Sequence, residues 1–124
     1  MAETSNEVVE KFCKVWQHKN LDEIMGFFAE DAEYQNVPMG PGAKGKEAIK
    51  GVINTFLPMA KGIEFKVLRQ VANGGTVLNE RVDIFDLGNK KAEIPVAGVF
   101  EIKNGKIALW RDYFDIGMWT KQVS

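Results

Sequence analysis

Cysteine and histidine are almost missing from this chain. Of its 124 residues one is a cysteine, Cys13, and one a histidine, His18. A single cysteine excludes an intrachain disulfide and any cysteine-based zinc cluster. With one imidazole beside it, a soft or borderline metal has too few ligands to recruit, and only carboxylates remain for a hard cation. An excess of either charge is lacking too. Sixteen Lys and Arg stand against 17 Asp and Glu, a net charge of -1, so nothing electrostatic argues for nucleic acid or an anionic membrane. No apolar run approaches the roughly 18 residues of a membrane span. The opening MAETSNEVVEKF is acidic where a secretory leader is basic, and a cytoplasmic location is the expectation. There is no low-complexity tract, no internal repeat and no GxSxG elbow for a serine nucleophile.

What is present suits one soluble domain over residues 1–124, with 45% hydrophobic and 27% charged residues and length enough to bury a core. Val8, Val9, Phe12, Val15 and Trp16 repeat at helical spacing after the capping candidates Thr4, Ser5 and Asn6, predicting a helix to about His18. Asn20 and Glu23 have the spacing of a capping box ahead of a short second helix. AEYQNV (Ala32 to Val37) turns to strand chemistry and is stopped by Pro38, Gly40, Pro41 and Gly42. A third helix begins near Gly45, with Ile49, Val52, Ile53, Phe56 and Leu57 on its apolar face. Then come GIEFKVLRQV, TVLNERVDIFDL, KAEIPVAGVFEIK and KIALWRDYFDI, separated by ANGG, GNK and NG. Those are turn signals, and four strands so joined form an antiparallel meander. Helices first and a sheet later predict an α+β fold with the helices on one face of a curved sheet. If the sheet curls around them, the result is a cone with a pocket at its open end.

Within this frame one carboxylate stands out. Strand alternation puts Asp112 on the same face as Ala108, Trp110 and Phe114, where a charged group loses hydration and needs a partner. The same rule puts Asn79, Arg81, Asp83 and Phe85 on one face of their strand. Leu78, Glu80, Val82 and Ile84 fall on the other face, which Val82 and Ile84 make apolar enough to be covered by a second copy of the chain. In the strand AEYQNV, Ala32, Tyr34 and Asn36 share a side. The bland alternative for Arg81 and Asp83 is a solvated ion pair, worth at most about 1 kcal/mol. For Asp112 it is a carboxylate satisfied by one arginine, Arg111 or Arg81. Arg111 is expected on the opposite face, and pairing of Asp112 with Arg111 would defeat the functional reading.

These residues carry a resemblance. FFAEDAEYQNVPM, ERVDIF, GVFEIKNGKI and WRDYFD are similar, in order, to segments of the limonene-1,2-epoxide hydrolase family. That family lies within the cone-shaped folds of nuclear transport factor 2 and ketosteroid isomerase. The set Tyr-x-Asn, Arg-x-Asp and Trp-Arg-Asp-Tyr-Phe-Asp is the specific part. The resemblance implies a strongly curved, mixed but mostly antiparallel sheet wrapped around three N-terminal helices. It implies that Asp112 takes a proton from a water held by Tyr34 and Asn36, that Asp83 protonates the epoxide oxygen, and that Arg81 bridges the two carboxyl groups. From facing and the family's layout, Trp16, Phe56, Phe85, Ile94, Val96, Phe114 and Trp119 would line the substrate pocket. No cofactor and no metal are called for, and a homodimer is expected.

The chemistry is consistent with these groups. Opening an epoxide near neutral pH takes a base and an acid, and a free Asp, with a pKa of about 3.9, would need raising by about 3 units to serve as the acid. Burial beside a second carboxylate supplies shifts of that size. The competing route through a covalent Asp ester wants a histidine, and His18 reads more simply as a residue favourable to a helix C-terminus. GPGAKGKE (Gly40 to Glu47) satisfies GxxxxGK, yet Glu47 stands where a phosphate loop needs Ser or Thr. Two other functions are compatible with these residues. One is isomerisation or cyclisation of the ketosteroid isomerase or polyketide cyclase kind, with Tyr34 and Asp83 as oxyanion donors; the other is a non-catalytic binding module in which both aspartates merely partner Arg81.

Overall fold

The computed structural model describes residues 3–124. The first helix, α1 (Ser5–Val15), opens with Thr4 accepting from the Glu7 amide while the Glu7 carboxylate accepts from the Thr4 amide, a complete capping box. One 3-10 turn carries the chain through His18, and Lys19 ends it in a left-handed conformation. Asn20 caps α2 (Leu21–Met25), but only half of the second expected box forms. Glu23 bonds His18 Nδ1 at 2.9 Å instead, which occupies the only imidazole on the surface. Strand β1 (Phe28–Asn36) begins four residues before the predicted AEYQNV segment. The two-residue strand β2 (Ala43–Lys44) and helix α3 (Lys46–Phe56) follow.

The chain then forms β3 (Gly62–Asn73), β4 (Thr76–Asp86), β5 (Lys91–Lys103) and β6 (Lys106–Tyr113) as the predicted antiparallel meander. The six strands make one sheet in the order β2-β1-β6-β5-β4-β3, with β1 parallel to β6. Among the described residues the mixed sheet thus has a single parallel pair, bridged by everything between residues 36 and 106. Because β2 lies antiparallel to β1, the GPGAKGKE loop is a sheet-edge hairpin leading into α3, with none of the parallel strand-to-helix geometry of a phosphate loop.

One prediction fails at the C-terminus. KIALWRDYFDI does not run on as a strand to Ile116. It ends at Tyr113, Asp115 accepts from the Met118 amide as an N-cap, and α4 (Ile116–Val123) follows. Aspartate just ahead of helically spaced apolar residues was the signal, hidden by the bulky run before it.

The core gathers between the helices and the concave face of the sheet, around Phe12, Trp16, Phe28, Phe100 and Trp110, all buried. Phe12 meets Trp110 edge-on at 5.0 Å between ring centroids, a favoured aromatic geometry. On the convex face Leu68, Val71, Leu78 and Tyr113 stay exposed, with Val82 and Ile84 half-buried. Among the described residues no helix is long and apolar enough to cross a membrane.

Candidate active site

Sheet register brings distant residues into one row. Asn36 of β1 pairs with Asp112 of β6, Asp112 with Gly98 of β5, and Gly98 with Asn79 of β4. One same-face step to one side of this row Tyr34 pairs with Trp110, and one and two steps to the other side Arg81 pairs with Val96 and Asp83 with Ile94. Since all these residues share the concave face, their side chains converge on the space beneath the helices.

Arg81, wholly buried, is the hub. Its Nε donates to Asp83 Oδ1 and its Nη2 to Asp83 Oδ2, both at 2.9 Å, a two-pronged grip. The same Nη2 donates to Asp112 Oδ2 at 2.8 Å, and Nη1 donates to Asn79 Oδ1 at 3.0 Å. Trp110 Nε1 donates to the other Asp112 oxygen at 2.7 Å, and the Trp110 ring stacks on Tyr34 at 4.2 Å. Asp112 therefore pairs with Arg81 and not with its chain neighbour Arg111. The Phe65 ring lies 5.0 Å from the guanidinium carbon, a cation–π contact.

Gly98 makes room for this arrangement. A Cβ there would overlap Arg81 Nη1 and stand 2.7 Å from Asn79 Oδ1 and 3.1 Å from Asp112 Oδ1. The guanidinium lies across β5 where a side chain would otherwise be.

Electrostatics follow from the count of charges. One guanidinium faces two carboxyl groups in a buried setting, so full ionisation would strand a net negative charge. Burial pushes the Asp83 carboxyl up from 3.8 to about 6, with the Asp112 charge adding to the shift and Arg81 opposing it. Burial also works against the charge of Arg81, yet Asp112 and Asp83 together hold its pKa well above the ordinary value. Burial first, and then Asp112, push the Tyr34 phenol up, with the Asn36 side chain opposing, so it stays a neutral hydroxyl. Cys13 sits behind the cluster. It accepts from Asn79 Nδ2 at 3.7 Å, and burial pushes its thiol to about 12, which leaves it inert.

A cavity of about 480 Å³ opens in front of the cluster. Tyr34, Asn36, Asp83 and Asp112 form its polar end. Phe56, Phe85, Ile94, Val96, Phe114 and Trp119 line it, joined by Met39, Val52, Thr55, Met59 and Phe65. Trp16 does not line it. It is fully buried behind that wall, stacked on Phe65 at 4.7 Å and on Phe56 at 5.8 Å, because the start of the 3-10 turn aims it into the core. Among the described residues its Nε1 has no hydrogen-bond partner. Sequence reasoning also missed Gly98 and the donors Trp110 and Asn79. Trp110 had a visible signal, two residues from Asp112 on the same face; Gly98 had none short of the strand register.

The family model for the limonene-1,2-epoxide hydrolase catalytic domain matches residues 3–124. This chain belongs to the limonene-1,2-epoxide hydrolase family. Epoxide hydrolase EphG of Mycobacterium tuberculosis is 34% identical over 113 residues, covering 87% of this chain and 71% of that one. The solved structure of a limonene-1,2-epoxide hydrolase-like enzyme from M. tuberculosis superposes with a TM-score of 0.82 at 31% identity, over 96% of this chain and 89% of that one. A Catenulispora acidiphila protein with a ketosteroid isomerase-like fold, solved with trimethylamine, reaches a TM-score of 0.84 at 21% identity, over 96% and 93% of the two chains. At that identity the likeness is one of fold. The limonene-1,2-epoxide hydrolase domain thus spans the whole described chain.

Proposed function

We propose that the chain adds water to a small, mostly apolar epoxide in one step, giving a vicinal diol by general acid–base catalysis without cofactor or metal. The observation that carries this reading is the single guanidinium shared by two buried carboxyl groups. Such a set makes one of the two carboxyl groups easier to protonate beside the other, and it offers a base and an acid to the same cavity.

Water sits between Tyr34, Asn36 and Asp112 in this scheme. Asp112 takes its proton as the oxygen attacks an epoxide carbon. The carbon–oxygen bond on that carbon breaks, and its electron pair takes the proton of Asp83. One water and one epoxide give one diol. The proton gained by Asp112 then returns to Asp83 through the carboxyl pair and solvent, restoring the starting state. With a pKa near 6, about a tenth of Asp83 is protonated at pH 7 before substrate arrives. An apolar substrate filling the cavity removes what water remains around the carboxyl and raises that fraction further. Arg81 and Trp110 hold Asp112 through hydrogen bonds to its two oxygens, which leaves a lone pair on each for the water.

The apolar lining supports an apolar substrate, and 480 Å³ is within the usual range for small-molecule sites. Replacement of Asp112 by Asn, assayed with a panel of terpene-sized and smaller epoxides, tests the base. Turnover should fall by about a thousandfold, within the range of a lost general base. Near-wild-type turnover in Asp112→Asn would sink the assignment.

A further inference from the structure

Helix α4 has no buried residue, so core packing does not hold it in place. Its half-buried side chains are Trp119, Gln122 and Val123, one helical face at i, i+3 and i+4. Trp119 meets Phe85 edge-on at 5.1 Å, and both line the cavity. What fixes that face is found at the edge of the sheet.

Strand β5 is longer than its neighbour. It begins at Lys91, but β6 pairs with it only from Ala97 to Lys103, leaving six residues without a strand on that side. Gln122 covers the gap. The Glu93 amide donates to Gln122 Oε1 at 2.7 Å, and Gln122 Nε2 donates to the Glu93 carbonyl at 3.0 Å. The side-chain amide thus takes the place of a strand residue. Two residues on, Pro95 directs its ring nitrogen to the same edge and has no donor to lose. The remaining ties sit at the ends of the helix, where Asp115 caps the first turn and Lys90 Nζ meets the Ser124 carbonyl.

We propose that Gln122 is a positioning residue for specificity. By pairing with the open edge of β5 it clasps α4 and sets Trp119 as a wall of the cavity, which selects for substrates long enough to reach that wall. The kinetic consequence rests on the cavity being the epoxide site, whereas the placement of Trp119 can be read without substrate.

Replacing Gln122 by Met tests the clasp, because it keeps the length and helix preference of the side chain and removes both hydrogen bonds. Thr120→Ala, on the exposed face of the same helix, is the control. Trp16 and Trp110 are shielded, at 0% and 1% exposure, so acrylamide quenching of tryptophan fluorescence reports Trp119. Release of two hydrogen bonds should raise the quenching constant about twofold in Gln122→Met and leave Thr120→Ala unchanged. The KM for a terpene-sized epoxide should rise about fivefold with kcat within about twofold, while that for a three-carbon epoxide stays put. Unchanged quenching in Gln122→Met overturns the proposal, and so does a KM that moves equally for both epoxides or for neither. If the wild type opens no epoxide, the proposed reaction fails and quenching alone decides the clasp.

Discussion

Asp83 is held in a state that costs the protein stability when it ionises. Burial, with the Asp112 charge behind it, raises its carboxyl from 3.8 to about 6 against the pull of Arg81. The folded state therefore binds this proton more tightly than the unfolded chain does. Stability from this group is complete below the unfolded value of 3.8 and is lost as pH climbs through about 6. Asp83→Asn removes the titration while leaving an acceptor oxygen for Arg81. The informative quantity is the unfolding free energy of the wild type minus that of Asp83→Asn, from urea titrations at several pH values. A shift of about two pKa units predicts that this difference falls by about 2 to 3 kcal/mol between about pH 4 and about pH 7.5. Surface carboxylates cancel in the subtraction because both proteins carry them. A difference that is flat to within about 0.5 kcal/mol, or that rises with pH, would refute the reasoning.

The same proton should govern rate. With Asp83 as the acid, kcat/KM falls tenfold per pH unit above about 6, and the apparent value belongs to the carboxyl pair; a profile level to pH 8 would contradict it. Gly98→Ala puts a methyl group against Arg81 Nη1 and Asn79 Oδ1. It should lower stability by about 1 to 3 kcal/mol and reduce turnover at least tenfold by shifting the guanidinium, as thermal melts and steady-state assays would read. A fully active Gly98→Ala protein would show that the close approach is dispensable.

Local pattern made much of this legible in the sequence. Strand alternation is enough to put Asn79, Arg81 and Asp83 on one face of their strand and Trp110 and Asp112 on one face of theirs, because a period of two leaves no third choice. Turn chemistry orders the meander for the same reason. Non-local facts were hidden. Nothing within β5 says that Gly98 will face Arg81, since that depends on register between three strands. Trp16 carried an apolar, aromatic signal that serves a pocket wall and a core equally well, and only the turn after α1 directs it inward. The C-terminal helix was masked because Tyr113 and Phe114 suit a strand while Asp115 ends one.

Incorporation of solvent oxygen during a single turnover tests the central claim most directly. Enzyme in excess over an epoxide, mixed in oxygen-18 water and quenched after one turnover, should give a diol carrying the label in one hydroxyl, with both Asp112 and Asp83 unlabelled. An unlabelled first-turnover diol, with oxygen-18 appearing in either aspartate, would show that a carboxylate attacks the epoxide and would contradict direct addition of water.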